Sequence, residues 1–105
     1  MTPIVRFFGD GDHAFSLNQP QITELENKCG PIAGVCGRIF VRQFSQAEIS
    51  EVIRLALIGA NESPKRAAEL IAAYVTDRPL NEFYSIALTL AEAVWFGEPH
   101  DKAAK

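Results

Sequence analysis

The chain has 105 residues, of which 48% are hydrophobic and 22% are charged, and its formal net charge is −3. This composition is typical of a folded globular protein, so we expect neither a disordered chain nor a coiled coil. A domain of this length buries enough surface to form a core without metal ions or disulfides. Since the slight acidic excess supplies no concentrated basic surface, we expect no binding to nucleic acid.

The N-terminal sequence has no charged segment followed by a long apolar stretch, so we expect a cytoplasmic protein without a secretion signal. The longest apolar run, residues 55–60, is far shorter than the ~20 residues that cross a bilayer, which predicts no membrane contact. The spacing between Cys29 and Cys36 is typical neither of redox motifs nor of zinc ligands. We expect both to be reduced thiols, with Cys36 buried.

Residues with catalytic or metal-binding potential are isolated in the sequence. Neither His13 nor His100 has a second ligand at metal-site spacing, and the motifs of hydrolases, metalloproteases and nucleotide-binding loops are absent. The acidic cluster from Gly9 to Asp12 lacks the closing glutamate of a calcium loop and instead indicates a turn. We therefore predict no catalytic residue, no metal site and no cofactor.

Residues 4–17 carry the only strand pattern. Two runs rich in strand-forming residues flank the turn that contains Asp10 and Gly11, which predicts a β-hairpin. Because an isolated hairpin is only marginally stable, we expect it to lean on the helices that follow. Since neighbouring strand residues point to opposite faces, we also expect one of Phe7 and Phe8 to lie outside the core.

Residues 20–97 read as a succession of helices. Pro20 suits a first helical turn and Gly30 a helix end, and the apolar spacing of residues 32–40 predicts a second helix. Ser45 and Glu48 form a predicted capping box for the third helix, in which each side chain satisfies a backbone amide of the other residue.

We expect Gly59 to end the third helix, and Ser63 with Pro64 to start the fourth. Residues 77–79 are expected to open the last and longest helix, which is apolar over most of its circumference and is predicted to lie at the centre. The predicted fold is mainly α, a small bundle of about five helices with an N-terminal β-hairpin. We place a single domain at residues 1–97 and a flexible tail at residues 98–105.

Two function classes follow from these elements. Residues 45–58 and 63–76 permit a helix-turn-helix that binds DNA, but only Lys65 and Arg66 place basic groups in the N-terminal half of its second helix, so solvated surface charge is the favoured interpretation. A protein-interaction module is indicated by adjacent large apolar side chains, and these give the candidate partner-binding residues Phe7, Phe8, Trp95 and Phe96. A hairpin packed in a crevice that covers both phenylalanines is the open alternative.

The order of these features resembles the gene transfer agent family of phage-derived proteins over nearly the whole chain. The residues that carry the resemblance are Phe15 and Leu17; Ile22, Glu24, Leu25 and Glu26; Gly30 and Ile32; residues 51–59; Ser63, Pro64 and Ala67; and Tyr74, Val75, Arg78, Pro79 and Leu80. The chain departs from the family at Ala60 and Asn61, where a glycine-rich loop is common.

The resemblance implies a non-enzymatic role in a bacterium that carries a prophage or gene transfer agent. The proteins of this family are similar to tail assembly chaperones, which coat the tape measure protein and help tail tube subunits polymerise around it. The implied partners are therefore the tape measure and tail tube proteins, and self-association stays open. We expect the hairpin edge and the Trp95 and Phe96 end to contribute to the binding surface. A minor structural component of the tail is the alternative.

Overall fold

The computed structural model describes residues 1–97, in which a β-hairpin precedes five α-helices. The elements are β1 (Ile4–Phe8), β2 (Gly11–Phe15), α1 (Gln19–Cys29), α2 (Ile32–Phe40), α3 (Gln46–Gly59), α4 (Pro64–Tyr74), a 3₁₀ turn (Leu80–Glu82) and α5 (Tyr84–Phe96). The predicted fold, mainly helical with an N-terminal hairpin, is confirmed. The predicted tail at residues 98–105 lies outside the described residues.

The turn of the hairpin fits against α4. β1 and β2 pair antiparallel with Phe8 opposite Gly11, so Gly9 and Asp10 form a two-residue loop. Gly9 has a φ of 70°, the left-handed region that such a loop requires at its first position. A Cβ atom at Gly9 would lie 2.3 Å from the Tyr74 ring. Both the backbone conformation and the close approach of α4 therefore require glycine here.

The chain that leaves β2 is docked onto the C-terminal part of α3. The Ser16 amide donates a hydrogen bond of 2.9 Å to the Ala56 carbonyl, and Asn18 Nδ2 donates one of 3.0 Å to the Gly59 carbonyl. A Cβ atom on Gly59 would lie only 1.8 Å from the Ser16 carbonyl oxygen. Gly59 does end α3 as expected, but the left-handed residue that follows this helix is Asn61, with a φ of 76°. The lack of a side chain at Gly59 instead lets Ser16, the residue that follows β2, pack closely against α3.

The middle of the fold is α3, which packs against α1, α4, α5 and β2. It is also the longest helix, with 14 residues against 13 in α5, so the prediction that the last helix is longest and central is wrong. The last helix starts late because Phe83, with a φ of −132°, breaks the helical path after the 3₁₀ turn. The Phe83 side chain is fully buried, so the chain leaves the helical path where this ring enters the core.

The predicted capping box of α3 forms only in part. The Ser45 hydroxyl accepts a hydrogen bond of 3.1 Å from the Glu48 amide, as predicted. The Glu48 carboxylate does not return to the Ser45 amide, because it is paired with Arg38 of α2. The ion pair between Glu48 and Arg38 therefore takes the place of the hydrogen bond from the Ser45 amide to the Glu48 carboxylate. Ser63 caps α4 in the same way as Ser45 caps α3.

Candidate protein-binding surfaces

The outer face of the hairpin exposes two large apolar side chains, Val5 at 63% and Phe7 at 69%. Phe8 and Phe15 point to the opposite face and are 3% and 0% exposed. The alternative in which packing covers both Phe7 and Phe8 is therefore wrong. Phe8 is also removed from the candidate binding residues, because its ring packs edge-on against Phe15 and Tyr74 within the core. We call Val5 and Phe7 the hairpin surface.

A second apolar surface lies where the end of α5 meets α2. Trp95 is 55% exposed and Phe96 is 76% exposed, and the Phe96 ring centroid lies 6.2 Å from that of Phe40. Trp95 also borders an apolar hollow, whose other lining residues are Ile32, Ala33, Cys36 and Val94. We call Phe40, Trp95 and Phe96 the α5 surface.

The structure separates the residues that the sequence suggested for one patch. Phe7 borders a groove with Tyr74 and Arg78, near the end of α4. Trp95 borders residues of α2, and the two sets of neighbours share no member. Phe7 and the Trp95–Phe96 pair thus belong to two distinct surfaces. Sequence reasoning missed Phe40, whose contact with Phe96 depends on how α2 crosses α5.

Arg66, one of the two basic residues that permitted a helix-turn-helix, forms ion pairs within the protein. Arg66 Nη2 lies 3.0 Å from Asp10 Oδ2 in the hairpin turn, and Arg66 Nη1 lies 3.7 Å from Glu69. A hydrogen bond from His13, together with the Arg66 charge, lowers the pKa of Asp10. The carboxylates compensate the Arg66 charge. Of the two basic residues that could contact DNA in a helix-turn-helix, only Lys65 then remains. This geometry argues against readout of DNA by α4.

The most buried charged side chain in residues 1–97 is Glu48, which is 6% exposed. Arg38 Nε donates hydrogen bonds to both Glu48 carboxylate oxygens, at 3.0 and 3.1 Å. Arg38 Nη2 contacts the same carboxylate and also donates a hydrogen bond of 3.1 Å to the Cys29 carbonyl. The hydrogen bond to Glu48 raises the pKa of Arg38. This cluster joins the end of α1 to α2 and the start of α3, and we assign it to the architecture because its charges satisfy each other.

Within residues 1–97, histidine, cysteine, aspartate and glutamate residues form no cluster of three or more that could hold a metal ion. In the same residues no helix has the length and apolarity needed to cross a membrane. Burial raises the pKa of the Cys36 thiol, and it does the same for Cys29, which is half-buried. Raised thiol pKa values favour the unreactive protonated form at neutral pH.

The architecture defines a small, mainly helical domain with an N-terminal hairpin and two exposed apolar surfaces. Residues 3–97 match the family described as phage tail tube protein, GTA-gp10. The chain therefore belongs to this family of phage tail and gene transfer agent proteins, as the resemblance in the sequence indicated. No curated protein and no solved structure gives a significant match to the chain.

Proposed function

We propose that this protein is a non-enzymatic tail assembly chaperone. It would bind the tape measure protein, the tail tube protein or both while a phage-like tail is built in the bacterial cytoplasm. The observation that carries the proposal is the α5 surface, where Trp95 and Phe96 are more than half exposed although four residues of the same helix, Ile86, Ala87, Leu90 and Ala91, are buried in the core. Family membership supplies the context of a tail.

The physical argument concerns what an exposed tryptophan and phenylalanine can do. Large aromatic side chains dominate the energetics of protein interfaces, because each buries a large apolar area on contact. A patch of three aromatic rings is small compared with a permanent interface and supports modest, reversible affinity. Reversible contact is what an assembly chaperone needs, since its partner must later join other tail subunits.

A structural component of the tail is the second candidate, because the family description itself names a tail tube protein. The architecture favours the chaperone over a subunit of the tube wall. A tube ring built by continuous β-structure needs extended strands, whereas the described residues contain one sheet of two five-residue strands. Analysis of purified particles separates the two roles, since a chaperone is absent from them and a structural component is present in fixed stoichiometry.

The binding test is co-purification of the tagged chain with the tape measure and tail tube proteins of the same gene cluster. Truncation of a central interface tryptophan costs about 2 kcal/mol or more, so Trp95→Ala should weaken binding by roughly 30-fold. Leu80→Ala is the matched control, because Leu80 is 45% exposed and lies outside both surfaces. Circular dichroism establishes that both variants are folded.

A folded Trp95→Ala, Phe96→Ser double variant that still binds the tail proteins with wild-type affinity would show that the α5 surface is wrongly assigned. Self-association through the same surface has a separate signature. It would appear as a mass that rises with concentration in the absence of tail proteins, and Trp95→Ala would abolish it.

A further inference from the structure

We propose that β1 is a strand-addition site, which binds an extended segment of a tail protein in which an acidic residue lies between two apolar residues. The inference rests on the proposed function, since it names the chemistry of the segment that a partner contributes. It concerns the hairpin surface and is independent of the α5 surface.

The first step is the direction of the backbone groups of β1. In a hairpin with a two-residue loop, the pair that flanks the loop exchanges hydrogen bonds, and every second residue along the strand does the same. That pair is Phe8 with Gly11, so Phe8, Arg6 and Ile4 bond to β2. The N–H and C=O groups of the intervening residues, Val5 and Phe7, point away from β2.

The second step is that no strand within residues 1–97 pairs with this outer edge of β1. In these residues the sheet has two strands, and it is β2 that packs against α3. Among residues 1–97, no backbone group of Val5 or Phe7 makes a hydrogen bond to another element. An open edge of this kind is a template for a further strand. Addition of a strand would give the four outward backbone groups partners.

The third step is the side chains at this edge. Val5 and Phe7 project onto the exposed outer face of the hairpin, at 63% and 69% exposure. In an added strand, the residues directly opposite them would lie on the same face with Cβ atoms about 5 Å away. Apolar residues at those two positions would cover both side chains, so the bound segment should be apolar at two alternate positions.

The fourth step is the charge of Arg6, which lies between Val5 and Phe7. Within the described residues Arg6 makes no ion pair, and its guanidinium donates one hydrogen bond of 3.3 Å to the Thr89 hydroxyl. Every other arginine contacts a carboxylate or an aromatic ring, namely Arg38, Arg42, Arg54, Arg66 and Arg78. Arg6 is thus the one arginine that contacts neither a carboxylate nor an aromatic ring within residues 1–97. A carboxylate opposite Arg6 would compensate its charge.

A second copy of this chain is a poor occupant of the same edge. The two-fold antiparallel pairing that uses all four outward groups places Val5 of each copy opposite Phe7 of the other. This register also brings the Arg6 side chains of the two copies directly opposite each other. Like charges in that position are destabilising, and a charged residue on an open strand is a known device against self-pairing. Charge complementarity therefore selects an acidic segment of a different protein.

The test uses two capped, fluorescein-labelled peptides, TQTVEVTQT and TQTVKVTQT, which differ only in the central charge. Fluorescence anisotropy should show saturable binding of the glutamate peptide to the full chain and binding at least tenfold weaker for the lysine peptide. The Arg6→Glu variant should reverse that preference. Equal affinity of both peptides for both proteins, or no binding of either peptide to the wild-type chain, would overturn the inference.

The backbone contribution has its own variants. Val5→Pro removes an outward N–H that the hairpin does not use, so it should abolish peptide binding. Val5→Thr keeps that N–H and loses only part of the apolar contact, so it should still bind the peptide, more weakly than the wild-type chain. N-methylation of both peptide valines that flank the glutamate probes the same hydrogen bonds without altering the protein. If the methylated peptide binds the wild-type chain as tightly as the parent peptide, strand addition is refuted.

Co-purification with the tail proteins separates this inference from the proposed function. If the peptides behave as expected but no tail protein is retained by the wild-type chain, the strand site stands and the chaperone role fails. If Val5→Pro retains the tail proteins at wild-type affinity, the chaperone role stands and the partner does not use β1.

Discussion

Substitution of Gly59 by alanine tests how the hairpin is held on the helices. The new Cβ atom would lie 1.8 Å from the Ser16 carbonyl oxygen, whereas real Cβ contacts essentially never fall below 3.0 Å. The segment after β2 would have to move by about 1.2 Å. That movement would break the hydrogen bond of 2.9 Å from the Ser16 amide to the Ala56 carbonyl and the one of 3.0 Å from Asn18 to Gly59.

The magnitude follows from three contributions. Overpacking of a tight contact costs about 1–3 kcal/mol, and each lost hydrogen bond costs about 1 kcal/mol. Alanine returns about 0.8–1 kcal/mol through its higher helix propensity. Gly59→Ala should therefore lower the free energy of unfolding by about 3 kcal/mol. In a domain of this size that corresponds to a fall in melting temperature of roughly 15 °C.

Thermal and urea unfolding followed by circular dichroism provide the assay, and Gly37→Ala is the matched control. Gly37 lies inside α2, and a Cβ atom there would meet no other atom within 4 Å. The same substitution should therefore stabilise the protein by about 0.8 kcal/mol, through helix propensity alone. If Gly59→Ala melts at or above the wild-type temperature, or if the two variants shift it equally, close approach at Gly59 is not what holds the hairpin.

Three further substitutions test local features of the fold. Asp77→Gly should raise the free energy of unfolding by about 0.5–1 kcal/mol, because Asp77 has a left-handed φ of 61° that glycine adopts without strain; lower stability in urea unfolding would contradict this. Arg38→Met should lower the urea midpoint more than the double variant Arg38→Met, Glu48→Leu, since the single change leaves a buried carboxylate unpaired; the opposite order would show that the pair is dispensable. Hydrogen bonds from Arg54 lower the pKa of Glu51, so the folded protein holds this proton less tightly than the unfolded chain. The resulting stability is present above the unfolded pKa of about 4.3 and is lost as the pH falls through the lower, folded value. Arg54→Met should flatten the decline in the urea midpoint between about pH 5 and about pH 3, and an unchanged slope would refute the assignment.

Local signals in the sequence were enough to place most elements. Ser63 followed by proline marked the start of α4, and Gly30 marked the end of α1, because a helix terminus depends on residues within about four positions. The hairpin itself was predictable for the same reason, since the residues of its turn are neighbours in the sequence. The loop consists of Gly9 and Asp10, however, and Gly11 of the Asp10–Gly11 step that indicated the turn lies in β2. The start of α5 was not, because it depends on where the Phe83 ring enters the core.

The candidate surfaces were predictable only in part. The alternation of a strand indicated that one of Phe7 and Phe8 is exposed, but not which one, since that depends on which face of the hairpin meets α3. The adjacent aromatic residues at the end of α5 were a correct indication of exposed apolar area. Their neighbour Phe40 lies more than 50 positions away in the sequence, so no local pattern connects it with Phe96.

The sequence by itself determined a mainly helical domain with an N-terminal hairpin, because periodicity, caps and turns act over a few residues. It also indicated the tail protein family to which the chain belongs. Tertiary structure alone decided that Glu48 pairs with Arg38 and that Ser16 packs closely against Gly59. It also decided that Arg6, on the outer strand of the hairpin, has no carboxylate partner in residues 1–97. These features depend on distances between residues far apart in the chain, which packing of the helices around α3 sets.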